Sequence, residues 1–221
     1  TVFSNNNLNI FRLIRGSYGY KSRFNKRIMS HFPLFEKENA PEGSVAWLEK
    51  AEQNFGLIPN VEKVMALSPQ LLAGYTFMWD EFETSSFDAQ EKQVIYMTAN
   101  FENDCHYCMP WHTILADSSG LSKDDVNALR GGGRLSNPKH NALSEFTSRM
   151  ILTRGKVSKM QLQEFFDAGY SDQQALEVVL ALAIKLISNY TNSIAGTPLD
   201  KEAQHNLWKK PYADIRIDGE D

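Results

Sequence analysis

Cysteine is nearly absent from this chain: there are two in 221 residues, Cys105 and Cys108. Two cysteines exclude the disulfide-dense frameworks that staple small secreted domains. Acidic residues are missing from residues 1–30, which instead carry Arg12, Arg15, Lys21, Arg23, Lys26 and Arg27. Alternating strand patterns bounded by hairpin turns are missing too, which excludes a hairpin-built β fold. No apolar run approaches the roughly 18–20 residues that span a membrane. The longest, ALEVVLALAIKLI, is interrupted by Glu177 and Lys185. There is no surplus of positive charge; a net charge of −4 argues against a nucleic-acid partner. Residues 1–30 also lack the compact apolar core of a signal peptide, so the expected location is cytoplasmic.

What is present reads as helix. A chain of 221 residues can bury a sizeable core as one large domain with extensions. In EGSVAWLEKAEQNFG, Val45, Trp47, Leu48, Ala51 and Phe55 recur near helical spacing, and Gly56 stops the run. A short helix in VEKVMAL is ended by Ser68-Pro69, and Pro69 opens the next, PQLLAGYTFMWDEFE. Asp88 or Ser86 caps DAQEKQVIYMTANFEN. Ser122, Ser158 and Ser171 cap three later segments, the last running to Gly196, and Pro138 opens another that closes at Gly155. The expected fold class is all-α. The organisation divides into a basic N-terminal extension (1–35), a helical domain (36–200) and a loose polar C-terminal tail (201–221). Aromatic residues Tyr75, Phe77, Trp79 and Phe82, with Met78, fit the lining of an apolar substrate pocket or core and oligomer packing, and packing takes more weight. Lys185, alone in an apolar helix, has two readings, a buried functional lysine and a snorkelling surface lysine, of which the second takes more weight.

The chemistry concentrates in NDCHYCMPWHT, Asn103 to Thr113. If Cys105 opens a helix capped by Asn103 or Asp104, then Cys105, Cys108 and His112 stand at i, i+3 and i+7, on one stripe. Three readings fit such a trio. A structural zinc wants four ligands, and only three converge here, with His106 off the stripe. Two inert packed thiols are the bland alternative. The third is redox chemistry. A helix N-terminus favours a thiolate, His112 one turn on can take the proton of Cys108, and the neighbouring thiol can close a small disulfide on an oxidised partner. This third reading takes most of the weight, with no metal and no bound organic cofactor.

The run DAQEKQVIYMTANFENDCHYCMPWHTILADSSGLSKDDVNAL resembles the core of the alkylhydroperoxidase D / carboxymuconolactone decarboxylase superfamily, in particular its peroxidase-related branch. FGLIPNVEKVMALSPQLLAGY before it, and TRGKVSKMQLQEFFDAGYSDQQALEVVLALAIKLISNYTNSIAGTPLD after it, are similar to that branch in content and order. The resemblance implies an alkylhydroperoxidase D-like helical bundle that forms homo-oligomers. It implies a thiol-dependent peroxidase that reduces hydrogen peroxide or organic hydroperoxides, reset by an external dithiol. Cys108 would then be the peroxidatic thiol, Cys105 the resolving one and His112 part of the proton relay, although helix spacing alone leaves the two thiols interchangeable. The chain departs from the family pattern where the relay glutamate belongs, because Gln93 stands there. Glutamine cannot take a proton. Glu102, just before the pair, is a candidate substitute, and Tyr107 occupies a position inside the pair where some relatives have histidine. Ser193 stands where this branch often has histidine. Decarboxylation is not expected, because the decarboxylase members lack the cysteine pair. The alternative function is a non-enzymatic, oligomeric redox sensor or binding protein of the same fold, its turnover removed by Gln93.

Overall fold

The structure, a computed structural model, describes residues 32–211. Most of the basic extension and the last ten residues, 212–221, therefore lie outside the described residues. Within them the chain forms nine α-helices and no strand. These are α1 (Glu42–Phe55), α2 (Asn60–Met65), α3 (Pro69–Glu83), α4 (Ala89–Glu102), α5 (Cys108–Ser119), α6 (Lys123–Gly131), α7 (Pro138–Leu152), α8 (Lys159–Asp167) and α9 (Asp172–Ala195), followed by a 3-10 turn at Lys201–Asn206.

Local chemistry sets the helix ends. Asp88 accepts from the backbone N–H of Glu91 while Glu91 reaches back to the N–H of Asp88, a full capping box at the start of α4. Ser158 and Ser171 form the same reciprocal pair with Gln161 and Gln174. Gly56, Gly120, Gly132 and Gly196 end α1, α5, α6 and α9 in the left-handed conformation. Gly132 has a second reason to be glycine: an added Cβ would come within 2.3 Å of the Phe101 ring.

α4 is the axis of the fold. It packs against α5, α6, α7 and α9, and an unbroken run from Val94 to Asn100 is buried. A helix surrounded on all sides shows no single apolar stripe, so only some of this burial is visible in its periodicity. α9 is long and apolar enough, by length and composition, to cross a membrane, but half of its most apolar stretch is buried in the fold. It packs on α2, α3 and α4. Its inward side is partly polar: Lys185, Ser188, Asn189 and Asn192 are all buried.

The segment after residue 200, expected to be a loose tail, is packed through Trp208. Ala203 is fully buried, and the 3-10 turn lies against α5. Trp208 donates its indole N–H to the carbonyl of Arg130 at 2.8 Å, and its ring packs against Phe101 and His106. Arg130 in turn donates to the carbonyls of Asn206 and Leu207 and to Thr113 Oγ1. A polar composition concealed one apolar anchor. Trp208→Ala is expected to lower unfolding stability by about 3 kcal/mol in urea denaturation; a loss under about 0.5 kcal/mol, the level of an ordinary surface substitution, would show that the strap contributes little.

Candidate active site

α4 and α5 are joined by a tight turn, and that turn places the thiols. Asn103 is the C-cap of α4, and Asp104 takes a positive φ of 51°. The chain then re-anchors, with the N–H of Cys105 donating to the carbonyl of Asn100 at 2.9 Å. Helix α5 begins at Cys108, not at Cys105. The expectation that Cys105 opens the helix under an Asn103 or Asp104 cap is therefore corrected. Asp104 spends its conformational freedom on the turn, and Cys105 precedes the helix. The backbone N–H of Cys108 donates to Cys105 Sγ at 3.2 Å, so the sulfurs remain neighbours. Both are free thiols and both are buried. The helix terminus, which on spacing alone favoured Cys105, favours Cys108 instead.

The two thiols have opposite electrostatic surroundings. Burial alone pushes the Cys108 thiol up. The hydrogen bond from Cys105, the positive charge of Lys185 and the amides of Asn189 and Asn192 outweigh it and bring Cys108 down to about 6. Asn192 Nδ2 donates to Cys108 Sγ at 3.2 Å. Burial raises Cys105 far above the usual thiol range, and the neighbouring Cys108 adds to the rise. The pair thus holds one thiolate, on Cys108, and one thiol, on Cys105.

Lys185 acts on both thiols, lowering each, and it is not a surface residue. It is 1 % exposed. Its Nζ lies 3.0 Å from His112 Nε2 and 5.5 Å from the centre of the Tyr96 ring. An ammonium offers only donors, so Nε2 of His112 accepts and the ring proton sits on Nδ1. Nδ1–H then donates to Gln93 Oε1 at 2.9 Å. Tyr96 and Trp79 flank the imidazole with ring centroids at 5.0 and 6.1 Å. Burial first, and Lys185 second, hold His112 well below its ordinary pKa. With both ring nitrogens occupied and protonation disfavoured, His112 is poorly placed to take the Cys108 proton, the role expected from its spacing. It instead fixes the lysine whose charge stabilises the thiolate.

Gln93 therefore touches the imidazole, as its place in the motif implies. Glu102 does not join the site: its carboxylate accepts from Ser148 Oγ at 2.5 Å, on the side of α4 that faces α7. Tyr107 is buried and donates to Asp200 Oδ2 at 2.5 Å while accepting from the N–H of Val61 at 3.1 Å. Trp111 Nε1 donates to the same carboxylate oxygen at 2.9 Å, and the N–H of Asn60 to the other at 3.0 Å. Asp200 so ties the start of α2 and the end of the α9 loop to the start of α5.

A cavity of about 50 Å³ lies over Cys108. Phe55, Tyr75, Trp79 and Trp111 wall it, and Glu62, His112 and Lys185 supply its polar groups. Part of the aromatic set read as packing therefore also faces the site, whereas Phe77 is exposed. Glu62 is the second residue that sequence reasoning missed. It is 4 % exposed, and its Oε2 has no hydrogen-bond partner among the described residues. Burial, with the nearby Asp200 and Cys108, raises its carboxyl to about 8, against the opposing pull of Lys185. Both residues had a periodicity signal. Glu62 lies on the buried Ile58–Val61–Met65 face, and Lys185, Ser188, Asn189 and Asn192 form an i, i+3, i+4, i+7 stripe. Among the described residues the metal-compatible group is Asp88, Glu91 and His140. The oxygens of Asp88 and Glu91 are already engaged by the α4 capping box and by Lys139, 2.9 Å from Glu91 Oε1.

Comparisons with known proteins bear on the fold and on one segment of the chain. Residues 69–134, which span α3 to α6, match the carboxymuconolactone decarboxylase family. By sequence the chain matches no curated protein. Among solved structures it is similar to an uncharacterized peroxidase-related protein with an alkylhydroperoxidase AhpD core from Ralstonia eutropha JMP134. That match has a TM-score of 0.70 and 17 % identity and covers 79 % of this chain and 94 % of that one. A peroxidase-related protein from Silicibacter sp. TM1040 matches with a TM-score of 0.67 and 16 % identity over 82 % of this chain and 97 % of that one. The debrominase Bmp8, in complex with 2,3,4-tribromopyrrole, matches with a TM-score of 0.66 and 18 % identity over 82 % and 96 %.

The two buried acids make opposite contributions to the pH dependence of folding. Glu62 is raised, from 4.5 to about 8, so stability falls as pH rises through that window, where only the folded state keeps the proton. Cys108 is lowered, from 9.0 to about 6, so its contribution is complete above 9 and is lost as pH falls through 6. In reduced protein, Glu62→Gln is expected to remove the first slope. Its stability relative to wild type, followed by urea unfolding, should climb between pH 4.5 and 8. A constant difference across that range would place Glu62 outside the account. Residues 69–134 thus match the carboxymuconolactone decarboxylase family, and the chain shares its all-helical fold with peroxidase-related proteins of solved structure.

Proposed function

We propose that the protein is a thiol-dependent peroxidase that reduces hydrogen peroxide or a small organic hydroperoxide through Cys108 and Cys105. The observation that supports it most is the placement of the buried Lys185 charge beside a thiol at a helix N-terminus, under a small apolar cavity. A cavity of about 50 Å³ has room for a few water-sized groups, which suits a peroxide head and a short apolar substituent.

In the proposed cycle the Cys108 thiolate attacks one peroxide oxygen. The O–O bond breaks, Cys108 becomes a sulfenic acid and the other oxygen leaves as alkoxide or hydroxide. That leaving group takes a proton from the polar wall, where Glu62 is protonated below about pH 8. Cys105, still a thiol, attacks the sulfenic sulfur and water departs, closing a Cys105–Cys108 disulfide. An external dithiol supplies two electrons to reopen it. Gln93 weakens an imidazole-centred relay, and Lys185 makes such a relay less necessary, because it stabilises the thiolate directly.

The same dithiol pair would also suit reductive removal of a halogen, the chemistry named for Bmp8. The small cavity favours peroxide over a ring that bears several bromines. The homo-oligomer implied by the family would use the exposed apolar stripe of α9, Leu176, Val179, Leu186, Tyr190 and Ile194. Sedimentation of wild type against Leu186→Glu tests it, with a fall in particle mass expected and an unchanged mass counting against that face.

The functional test is multiple-turnover consumption of hydrogen peroxide with dithiothreitol. Wild type is expected to turn over many times, and Cys108→Ser not at all. Gln93→Glu, which places a carboxylate on His112 Nδ1, is expected to raise the rate. An unchanged rate in a folded variant would remove Gln93 from the relay. A single slow oxidation without turnover would favour the redox-sensor reading.

A further inference from the structure

Cys105 has its own opening to the surface, separate from the cavity over Cys108. A groove of about 330 Å³ is lined by Cys105, His106, Tyr107 and the C-terminal end of α9. Cys108, Lys185 and Glu62 line the small cavity and not this groove; Cys105 lines the groove and not the cavity. Two polar atoms on the groove have no hydrogen-bond partner among the described residues: Asn192 Oδ1 and Thr197 Oγ1. Asn192 is 6 % exposed, and its amide nitrogen is committed to Cys108 Sγ. Its oxygen is thus a buried acceptor held beside the two thiols, which is costly to leave unpaired. Ser193 sits on the same wall, exposed.

We propose that this groove is the docking site of a small dithiol reductant, which attacks Cys105 while Asn192 Oδ1 and Thr197 Oγ1 receive its polar groups. The proposal deepens the peroxidase reading and rests on its Cys105–Cys108 disulfide. A thiolate of the reductant attacks Cys105 Sγ. The Cys105–Cys108 bond breaks, and its electron pair leaves on Cys108. The reductant's second thiol, deprotonated, attacks its own sulfur in the mixed disulfide and expels Cys105, which takes up a proton. In sum, a dithiol becomes a cyclic disulfide, the protein regains one thiol and one thiolate, and one proton is released. The direction follows from leaving groups, because the better-stabilised thiolate departs faster. Attack on Cys108 would have to enter through about 50 Å³ and expel the thiolate that burial disfavours. Peroxide and reductant thereby use different doors, so an oxidised site can be reset without clearing the peroxide cavity.

The test forms the disulfide with diamide rather than peroxide, so that it does not depend on peroxidase activity. A brief pulse of 2-mercaptoethanol, acid quench, alkylation and mass spectrometry then locate the mixed disulfide in the wild-type chain. The adduct is expected on Cys105; an adduct on Cys108 overturns the proposal. In parallel, Ser193→Trp, which fills the groove from an exposed position, should slow reduction by dithiothreitol about tenfold more than it slows oxidation by peroxide. Equal slowing of the two steps, or reduction by a thioredoxin-sized dithiol protein but not by dithiothreitol, also overturns it. Failure to form any disulfide with diamide removes the dithiol reading and the groove together. A diamide disulfide that reopens through Cys105 in a protein inert to peroxide leaves the groove standing and removes only the peroxidase.

Discussion

One buried positive charge organises this site. Lys185 sits in the apolar body of α9, where an isolated ammonium carries a large desolvation cost. Three features offset that cost: the lone pair of His112 Nε2, the face of Tyr96 and a thiolate on Cys108. Each partner is held in turn. Gln93 accepts from His112 Nδ1, Trp79 and Tyr96 flank its ring, and Asn192 donates to the sulfur. A helix that looks able to cross a membrane by composition is instead a core helix with a polar seam, and the seam is the site.

The difference between the thiols follows from their hydrogen bonds and from the register of a turn. Both cysteines are buried, and burial alone would leave both as inert thiols. Both thiols feel Lys185, but Cys108 also gains the first turn of α5, the hydrogen bond from Cys105 and the α9 amides, whereas the same Cys105–Cys108 hydrogen bond raises Cys105. Asp104, with its positive φ, produces that asymmetry by ending α4 so sharply that Cys105 falls outside the next helix. Roles that spacing leaves interchangeable are thus separated by one residue of backbone conformation.

The helices were legible in the sequence because their ends are chemically marked: Asp88, Ser122, Ser158 and Ser171 cap as read, and Gly56 and Gly196 terminate. The Cys-x-x-Cys and His spacing pointed to Cys105, Cys108 and His112, and the family resemblance added Gln93. Lys185 and Glu62 escaped because a charged residue in an apolar run has a strong prior for the surface, and only tertiary packing decides otherwise. Their positions on buried helical faces were the available signal. Glu102 was favoured for being near the pair in sequence; at the end of α4 its side chain turns toward α7. Trp208 shows the same limit, since one aromatic residue in a polar segment suffices to pack it.

The central claim is that Lys185, rather than an imidazole–carboxylate relay, makes Cys108 a thiolate. It is tested most directly by the pH dependence of alkylation of each cysteine in reduced wild type and in Lys185→Met, read by mass spectrometry. The account predicts a Cys108 midpoint near 6 in wild type that rises in the variant, while Cys105 stays unreactive in both. A midpoint that stays near 6 without Lys185, or one already above the free-thiol value of about 8.5 in wild type, would contradict it.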